Sequence, residues 1–385
     1  MNARRAWHRA VGLLIVSLLL FLPLTGCWDE VDLQDVSYIS AVGIDYVDGQ
    51  YILYAQIINF SAVAKTQTPH NEPQKVWMGQ GRGESMFKAY YNLGKGAYTL
   101  QNLEHLKVIV VHERALSKLS EVLDGLNRQR ASRYTAKVYG TQEAMDDVFN
   151  ADTFFDSSPL NSIMYLPGPH EKQYTYVSST SMQSAVQMLN ERAYTTLIPV
   201  LQVTDQYWKY GRDEMNTQLI SGVFAFEGLQ YQGYVAEPQS GGLRWLSPNY
   251  SKVMFEVQSG NRKATLSIPK AEYKLHWEKG NANSPFRLEL SLRGHVVEMD
   301  GMLDKQELIA SLEAKVREEI ERTYKEGLSR GMDLFNLEHH LYRYHNRYWQ
   351  GHVRNRNWRP KDDELQVDVK FRLNNSGLFD LQGDT

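Results

Sequence analysis

Cysteine is nearly absent from this sequence, because Cys27 is the single cysteine among 385 residues. A lone cysteine cannot close a disulfide within the chain, and it cannot build a multi-thiolate zinc or iron–sulfur site. The roles left for Cys27 are an intermolecular disulfide, catalysis, inert burial and covalent modification.

Two other scarcities narrow the class of protein. Lysine and arginine do not outnumber the acidic residues, with 42 against 45. Because nucleic-acid-binding surfaces are usually basic, this balance argues against a nucleic-acid partner. The apolar run at residues 11–22 is also short for a permanent membrane span, which needs about 20 apolar residues.

The start of the chain has the order of a lipoprotein signal peptide. Its flanking features are a basic segment with Arg4, Arg5 and Arg9 and a small-residue stretch with Leu24, Thr25 and Gly26. Leu-Thr-Gly-Cys is similar to a bacterial lipobox, in which signal peptidase II cuts before the cysteine and a diacylglycerol is attached to its sulfur. The alternative is a secreted or membrane-anchored protein with an incidental Cys27.

The lipobox hypothesis predicts that residues 1–26 are removed and that Cys27 carries the S-diacylglycerol and an N-acyl chain. Removal takes away three arginines and no acid, leaving 39 basic and 45 acidic residues and a formal charge of −6. Each buried CH₂ contributes about 0.8 kcal/mol, so the acyl chains hold a folded domain firmly on a membrane. Lipid, rather than a polybasic patch, is therefore the predicted attachment.

Residues 27–205 predict an N-terminal region of mixed α and β structure, with room for two subdomains. Asp48-Gly49 between two alternating segments predicts a hairpin, because both residues tolerate the positive φ angles of a type I′ turn. The apolar sequence HLKVIVVHE predicts a buried strand. Thr141 is predicted to begin a helix as its N-cap, and Pro199 predicts an edge strand or a bulge.

Residues 206–220 are polar and predict a linker to a C-terminal domain at 221–385. Several alternating strands are followed by two helices, one at 304–327 that begins at the cap Asp304 and one at 333–349. Strands grouped before helices favour an antiparallel sheet covered on one face. The predicted fold is therefore α+β, in a multi-domain lipoprotein ectodomain.

The segment LEHHLYRYHNRYWQGHVRNRNW is rich in histidine and tyrosine. A metal site is disfavoured, because His339 and His340 lie six and five residues before His345, and helical ligands share a face only at spacings of three or four. A second interpretation is a helix whose tyrosines pack inward. A third is a partner surface, since Tyr, Trp and Arg are frequent interface anchors. Its predicted contact residues are Tyr342, Arg343, His345 and Trp349.

No catalytic or cofactor signature is found. The sequence GQGRGES at residues 79–85 resembles a phosphate-binding loop but lacks its Lys-Ser/Thr, and is better explained as a flexible strand-to-helix connection. No Gly-x-Ser-x-Gly nucleophile elbow occurs. The acid pairs at 146–147 and 362–363 lie in polar surroundings. We therefore expect no enzyme activity, no cofactor and no metal.

Gly26-Cys27-Trp28-Asp29 is followed by Gly43-Ile44-Asp45. This order resembles a known family, the Ger(x)C spore-germination lipoproteins, and is specific to these proteins. Further similar blocks are GRGESMFKAYYNL, EHLKVIVVHERAL, SGVFAFEGLQYQGYV, GMDLFNLEHHLYRYHNRYW and VDVKFRL. The resemblance covers nearly the whole chain. Lipobox chemistry asks nothing of Trp28 and Asp29, and their role stays open.

The resemblance implies a non-enzymatic subunit of a nutrient germinant receptor. Such receptors have a membrane A subunit, a transporter-like B subunit and a lipoprotein C subunit, in the inner membrane of the dormant spore. It implies an α+β lipoprotein of several small domains, attached through Cys27 to the outer face of the membrane. Only Cys27 is carried over as a functional position.

Two other functions are weighed against this one. A solute-binding lipoprotein would deliver a small ligand to a membrane transporter, but it usually has two lobes of alternating β and α units. A cell-wall enzyme would need paired acids or a metal triad in a cleft. Both fit the sequence less well than a receptor subunit.

Overall fold

The computed structural model describes residues 7–8, 10–15, 17, 35–57, 76–128, 134–174, 177–259, 262–279, 285–301, 304–354, 356 and 358–375. Cys27 and the lipobox residues before it lie outside these ranges, so the lipid attachment stays a prediction. Within the described residues, no helix combines the length and apolar character needed to cross a bilayer.

The described strands and helices alternate in the first half and are grouped in the second. The strands are β1 Val36–Val47, β2 Gln50–Ile57, β3 Trp77–Gly83, β4 Leu100–Asn102, β5 Val108–His112, β6 Lys137–Thr141, β7 Thr180–Ser181, β8 Thr195–Thr204, β9 Lys209–Tyr210, β10 Asp213–Glu214, β11 Thr217–Glu227, β12 Gln230–Ala236, β13 Val253–Ser259, β14 Arg262–Trp277, β15 Phe286–Met299 and β16 Leu365–Asn375. The α-helices are α1 Met86–Gly94, α2 Leu119–Asn127, α3 Met145–Phe149, α4 Pro167–Gln173, α5 Met182–Asn190, α6 Lys305–Ser329, α7 Leu337–Tyr344 and α8 Asn346–His352.

The main sheet has the strand order β12-β11-β8-β6-β5-β1-β2-β3. Its four central strands, β8, β6, β5 and β1, are parallel, and antiparallel hairpins extend it at both ends. β5 is buried along its whole length, as expected for a parallel strand covered on both faces. Helices α1, α2 and α5 contribute to the core on one face, and α3 contributes to the core on the other.

The hairpin predicted at Asp48-Gly49 is confirmed. Asp48 has φ of 52° and Gly49 has φ of 76°, and the flanking residues Val47 and Gln50 pair across the turn. Two adjacent positive φ angles define the type I′ turn, whose twist matches that of the two strands.

The second sheet has the order β13-β14-β15-β16, and α6 packs against it. β13, β14 and β15 are antiparallel as predicted, but β16 is parallel to β15, so the sheet is mixed. The three helices between β15 and β16 return the chain to the end where β15 begins. The edge strand β16 is covered by α6: the Phe371 N–H donates to Glu313, and Arg317 donates to the Val367 carbonyl.

The hairpin β11–β12 belongs to both halves of the molecule. It extends the main sheet through ten residue pairs between β11 and β8. Phe224 and Phe226 enter the core of the main sheet, whereas Val223, Ala225 and Val235 enter the C-terminal core. The predicted linker 206–220 differs from the structure, because it contains the small hairpin β9–β10 and the start of β11. The main sheet therefore continues across position 221.

Two local predictions are corrected by long-range contacts. Thr141 ends β6 rather than capping a helix, since its hydroxyl donates to the Leu201 carbonyl. Pro199 lies in β8, an inner strand of the sheet, close to a register shift opposite Val200 and Leu201. The extra residue of this irregularity is in β11, and Pro199 itself pairs regularly with Val223, so the predicted edge position was wrong.

Two further segments differ from their predictions. The glycine-rich GQGRGES is mainly β3, and Ser85 caps α1 by accepting from the Lys88 N–H. The last predicted helix is broken at His345, where φ is −132°, into α7 and α8. Tyr344, predicted to be buried, is 73% exposed at the end of α7.

Candidate functional site

The histidine- and tyrosine-rich helix α7 packs against the chain's own turn between α5 and β8. His339 Nδ1 lies 3.1 Å from the Arg192 carbonyl oxygen, and its ring meets Tyr194 edge to face at 5.0 Å. Arg343 lies 4.0 Å from Glu191. The polar side chains of α7 thus join the C-terminal half to the N-terminal half.

Asn336 strengthens this junction at the residue before α7. It has φ of 56°, the left-handed region in which asparagine is more readily accommodated than most residues. Its Oδ1 accepts from the Thr195 N–H at 2.6 Å, and its Nδ2 donates to the Thr195 carbonyl at 3.3 Å. One side chain therefore satisfies both backbone groups at the first residue of β8.

The predicted partner contacts do not form one exposed face. Trp349 is buried, donates through Nε1 to Glu338 at 3.0 Å, and packs on the half-buried Tyr342 at 5.1 Å. The His345 ring lies 4.6 Å from Trp277. Arg343 is the exposed member of the predicted set. The prediction of Trp349 as a surface anchor is therefore corrected, because its indole is part of the C-terminal core.

A cleft of about 900 Å³ opens beside the junction. Its walls come from α5, the start of β8, β14, α7 and the segment after Leu246. The lining includes three histidines and three tyrosines and, among the described residues, no aspartate or glutamate; they are His276, His339, His340, Tyr194, Tyr273 and Tyr344. The cleft is therefore aromatic and free of acidic walls.

The histidines of the cleft influence one another. Burial, together with the smaller effects of the charges of His345, His276 and His339, lowers the pKa of His340 to about 4. His276 is near a carboxylate, with its Nε2 3.5 Å from Glu289. His340 is therefore held neutral at physiological pH. Within the described residues, no three His, Cys, Asp or Glu side chains converge as metal ligands.

The half-buried, neutral His340 predicts a loss of stability in acid. Its pKa is below the ordinary 6.5, so the unfolded chain binds a proton first as the pH falls. The stabilising contribution is present above about pH 6.5 and is lost as the pH falls toward 4. After allowance for partial solvent screening, wild-type protein should lose about 1–2 kcal/mol more than His340→Gln over this range.

Urea unfolding at pH 7 and pH 4.5 measures this difference. Other titrating groups act in both proteins, so the comparison isolates His340. His352→Gln makes the same change at an exposed position of α8 and serves as the control. An equal loss of stability in wild type and His340→Gln would contradict the prediction.

A second buried cluster surrounds Asp45, the acid of the Gly43-Ile44-Asp45 sequence. Arg114 donates to both carboxylate oxygens, and His112 Nδ1 lies 3.7 Å away. Burial alone raises the pKa of Asp45, but the hydrogen bonds from Arg114 and the Tyr46 N–H together hold it below its ordinary value. The cluster ties β1 to the turn after β5. The sequence signal for this cluster was an acid, Asp45, directly after a run of apolar residues in a predicted strand.

Two family models match the chain over most of its length. The spore germination protein N-terminal domain matches residues 29–203, and the spore germination B3/GerAC-like C-terminal domain matches residues 221–377. The chain belongs to the GerAC, or Ger(x)C, spore germination family. Their matches end and begin close to the predicted linker, although the main sheet continues through it.

Individual relatives agree with this membership. Spore germination protein KC of Bacillus subtilis is 25% identical over 388 residues, covering 93% of each chain. The putative spore germination protein YfkR of the same organism is 25% identical over 157 residues, covering 40% of this chain and 41% of YfkR. The crystal structure of the GerBC protein has the same fold, with a TM-score of 0.54 at 15% identity, covering 87% of this chain and 97% of GerBC.

Proposed function

We propose that this chain is the lipid-anchored C subunit of a nutrient germinant receptor. The observation that carries the proposal is the match of both Ger(x)C family models, one to each half of the chain. The proposed partners are the membrane A and B subunits, and the proposed location is the outer face of the spore's inner membrane. The chain would act through protein contact, without catalysis.

Attachment through Cys27 would give the contact its strength. A domain held at a membrane meets membrane partners at a high effective concentration, so weak contacts suffice to keep a complex assembled. Nutrient binding to a partner would then shift the population of assembled states. The hydrogen bonds and ring contacts that join α7 to the α5–β8 turn would let both halves of the chain respond as one body.

Spores that carry Cys27→Ala are expected to lose most of their nutrient-triggered germination, because the subunit is no longer concentrated at the membrane. Deletion of the whole chain should have the same or a larger effect. The measurement is the fall in optical density of a spore suspension after nutrient addition. Restoration by the wild-type gene is the control. Normal germination of the deletion strain would overturn the proposed function.

The cleft supports a second candidate function, capture of a small ligand by this chain itself. Its volume of about 900 Å³ and its aromatic lining suit a small molecule. Titration calorimetry of the unlipidated protein with amino acids and sugars tests it, with His340→Gln and Tyr273→Ala as cleft variants. Binding that both variants weaken would favour this function. Titrations that release or absorb no heat of binding would exclude it for the ligands tried.

A further inference from the structure

Large apolar side chains are exposed at one end of the main sheet. This end, where β1, β3, β5 and β6 begin, is called the lower end. Trp77 is 67% exposed, Tyr98 is 100% exposed and Leu100 is 59% exposed. Each has the amphipathic or apolar character found at membrane interfaces, and Trp and Tyr are enriched there.

The strand register places Trp77 and Leu100 at the same end of the sheet. Leu100 pairs with Val36 in the extension of β1 by β4, and Tyr98 is two residues before Leu100. Trp77 pairs with Ile57, which lies in the row of Ile39. Trp77 and Leu100 therefore lie on different strands and are offset by three residues, about 10 Å, along the strand direction.

The chain enters the fold at the same end. Asp35 immediately precedes β1 and lies eight residues after Cys27, a length that spans at most about 28 Å when fully extended. β1 itself has 12 residues and is about 40 Å long. A lipid on Cys27 therefore brings the lower end to the bilayer before the opposite end of the sheet.

We propose that the lower end is a bilayer-contact surface, with Trp77, Tyr98 and Leu100 seated among the lipid headgroups. The inference rests on the proposed lipid anchor and adds the orientation of the protein on the membrane. Trp and Tyr place apolar rings against acyl chains while their polar atoms stay in the wet interface. The chain is then held at two points, its lipid and this surface.

Charges of both signs surround this surface among the residues that the structure describes. Lys95 and Lys107 are exposed and the half-buried Lys137 begins β6, while Asp35 and Glu104 are exposed acids. Because neither sign strongly dominates, burial of apolar rings rather than attraction to anionic lipid carries the proposed contact, which is therefore expected to form on zwitterionic phosphatidylcholine.

The turn at the other end of β1 provides a control position. β1 runs from the lower end to the turn at Asp48-Gly49, a distance of about 40 Å. Gln50 is exposed and begins β2 directly after this turn. Gln50→Trp therefore supplies a control indole that is far from the lower end.

Depth-dependent fluorescence quenching tests the orientation. The lipidated mature chain is placed on phosphatidylcholine vesicles with brominated acyl chains, and the emission of Trp77 is obtained as the difference between wild type and Trp77→Phe. The Trp77 emission is expected to fall by roughly half, as for an indole at the interface. The emission of the indole introduced by Gln50→Trp, obtained as the difference from wild type, is expected to be unchanged.

A second experiment distinguishes failure of the proposed lipid anchor from failure of the proposed contact surface. Vesicle flotation first reports whether the chain is attached through lipid; if it is not, the proposed anchor fails. The same quenching is then measured with the chain tethered by a His tag at position 27 to nickel-chelating lipid. An unquenched Trp77, or an indole from Gln50→Trp that is quenched as strongly as Trp77, overturns the proposed contact surface with either attachment.

Discussion

Gly81→Ala is expected to destabilise the protein by about 3 kcal/mol or more, because α1 lies directly on β3 at this position. A Cβ on Gly81 would lie 2.2 Å from the Ala89 carbonyl oxygen and 2.6 Å from the Leu93 amide nitrogen. Both atoms belong to the helix backbone, so no side-chain rotation relieves the clash. The whole of α1 would have to move away from the sheet.

Alanine substitutions at two other glycines are expected to destabilise the protein less than Gly81→Ala. In Gly79→Ala the added Cβ meets the Leu93 Cδ1 atom at 2.7 Å, a side-chain atom that can rotate, so a loss of about 1 kcal/mol is expected. Gly351→Ala meets nothing within 4 Å in α8 and should be neutral or stabilising by about 0.5–1 kcal/mol. Urea unfolding measures all three. Gly81→Ala that is no less stable than Gly79→Ala would contradict the close packing.

The close packing of α1 on Gly81 could not be predicted from the sequence. A glycine-rich run between a strand and a helix has the composition of a flexible connection, and that was the prediction for residues 79–85. In the structure alternate glycines of β3 face α1, where a side chain would not fit. The period of two was present in the sequence, but the helix that requires it is identified only by the fold.

Features set by neighbouring residues were predictable. The turn at Asp48-Gly49, the buried strand β5 and the cap at Asp304, which accepts from the Glu307 N–H, all follow from residue type and spacing. The membership of the family could also be inferred, from short blocks in a fixed order. Each of these depends on residues within a few positions of one another.

Features set by contacts between residues far apart in the sequence were not predictable. An apolar helix face indicates burial without naming its neighbour, so Trp349 could be taken for an interface anchor although Glu338 and Tyr342 enclose it. The direction of β16 depends on the path of three preceding helices. The helix α7 has an interface composition because it does form an interface, with residues 191–195 of the same chain.

The second large loss of stability is expected in the hairpin β11–β12, because β11 contributes side chains to both hydrophobic cores. Phe224 is fully buried, meets Tyr231 edge to face at 5.5 Å, and packs so closely on β6 that a Cβ on Gly140 would lie 2.1 Å from its ring. Phe224→Ala should therefore lower the free energy of unfolding by about 4 kcal/mol. Phe87→Ala, the same change at a side chain that is 67% exposed, should cost less than about 0.5 kcal/mol.

Phe224→Ala also distinguishes one folding unit from two. If the halves divided at 221 were independent, the loss would be confined to one of them. Because Val223 beside Phe224 enters the other core, we expect both halves to unfold together. Hydrogen exchange under globally unfolding conditions should report equal losses of protection in β5 and in α6. A loss limited to β5 would mean that the hairpin joins the two halves without coupling their stability.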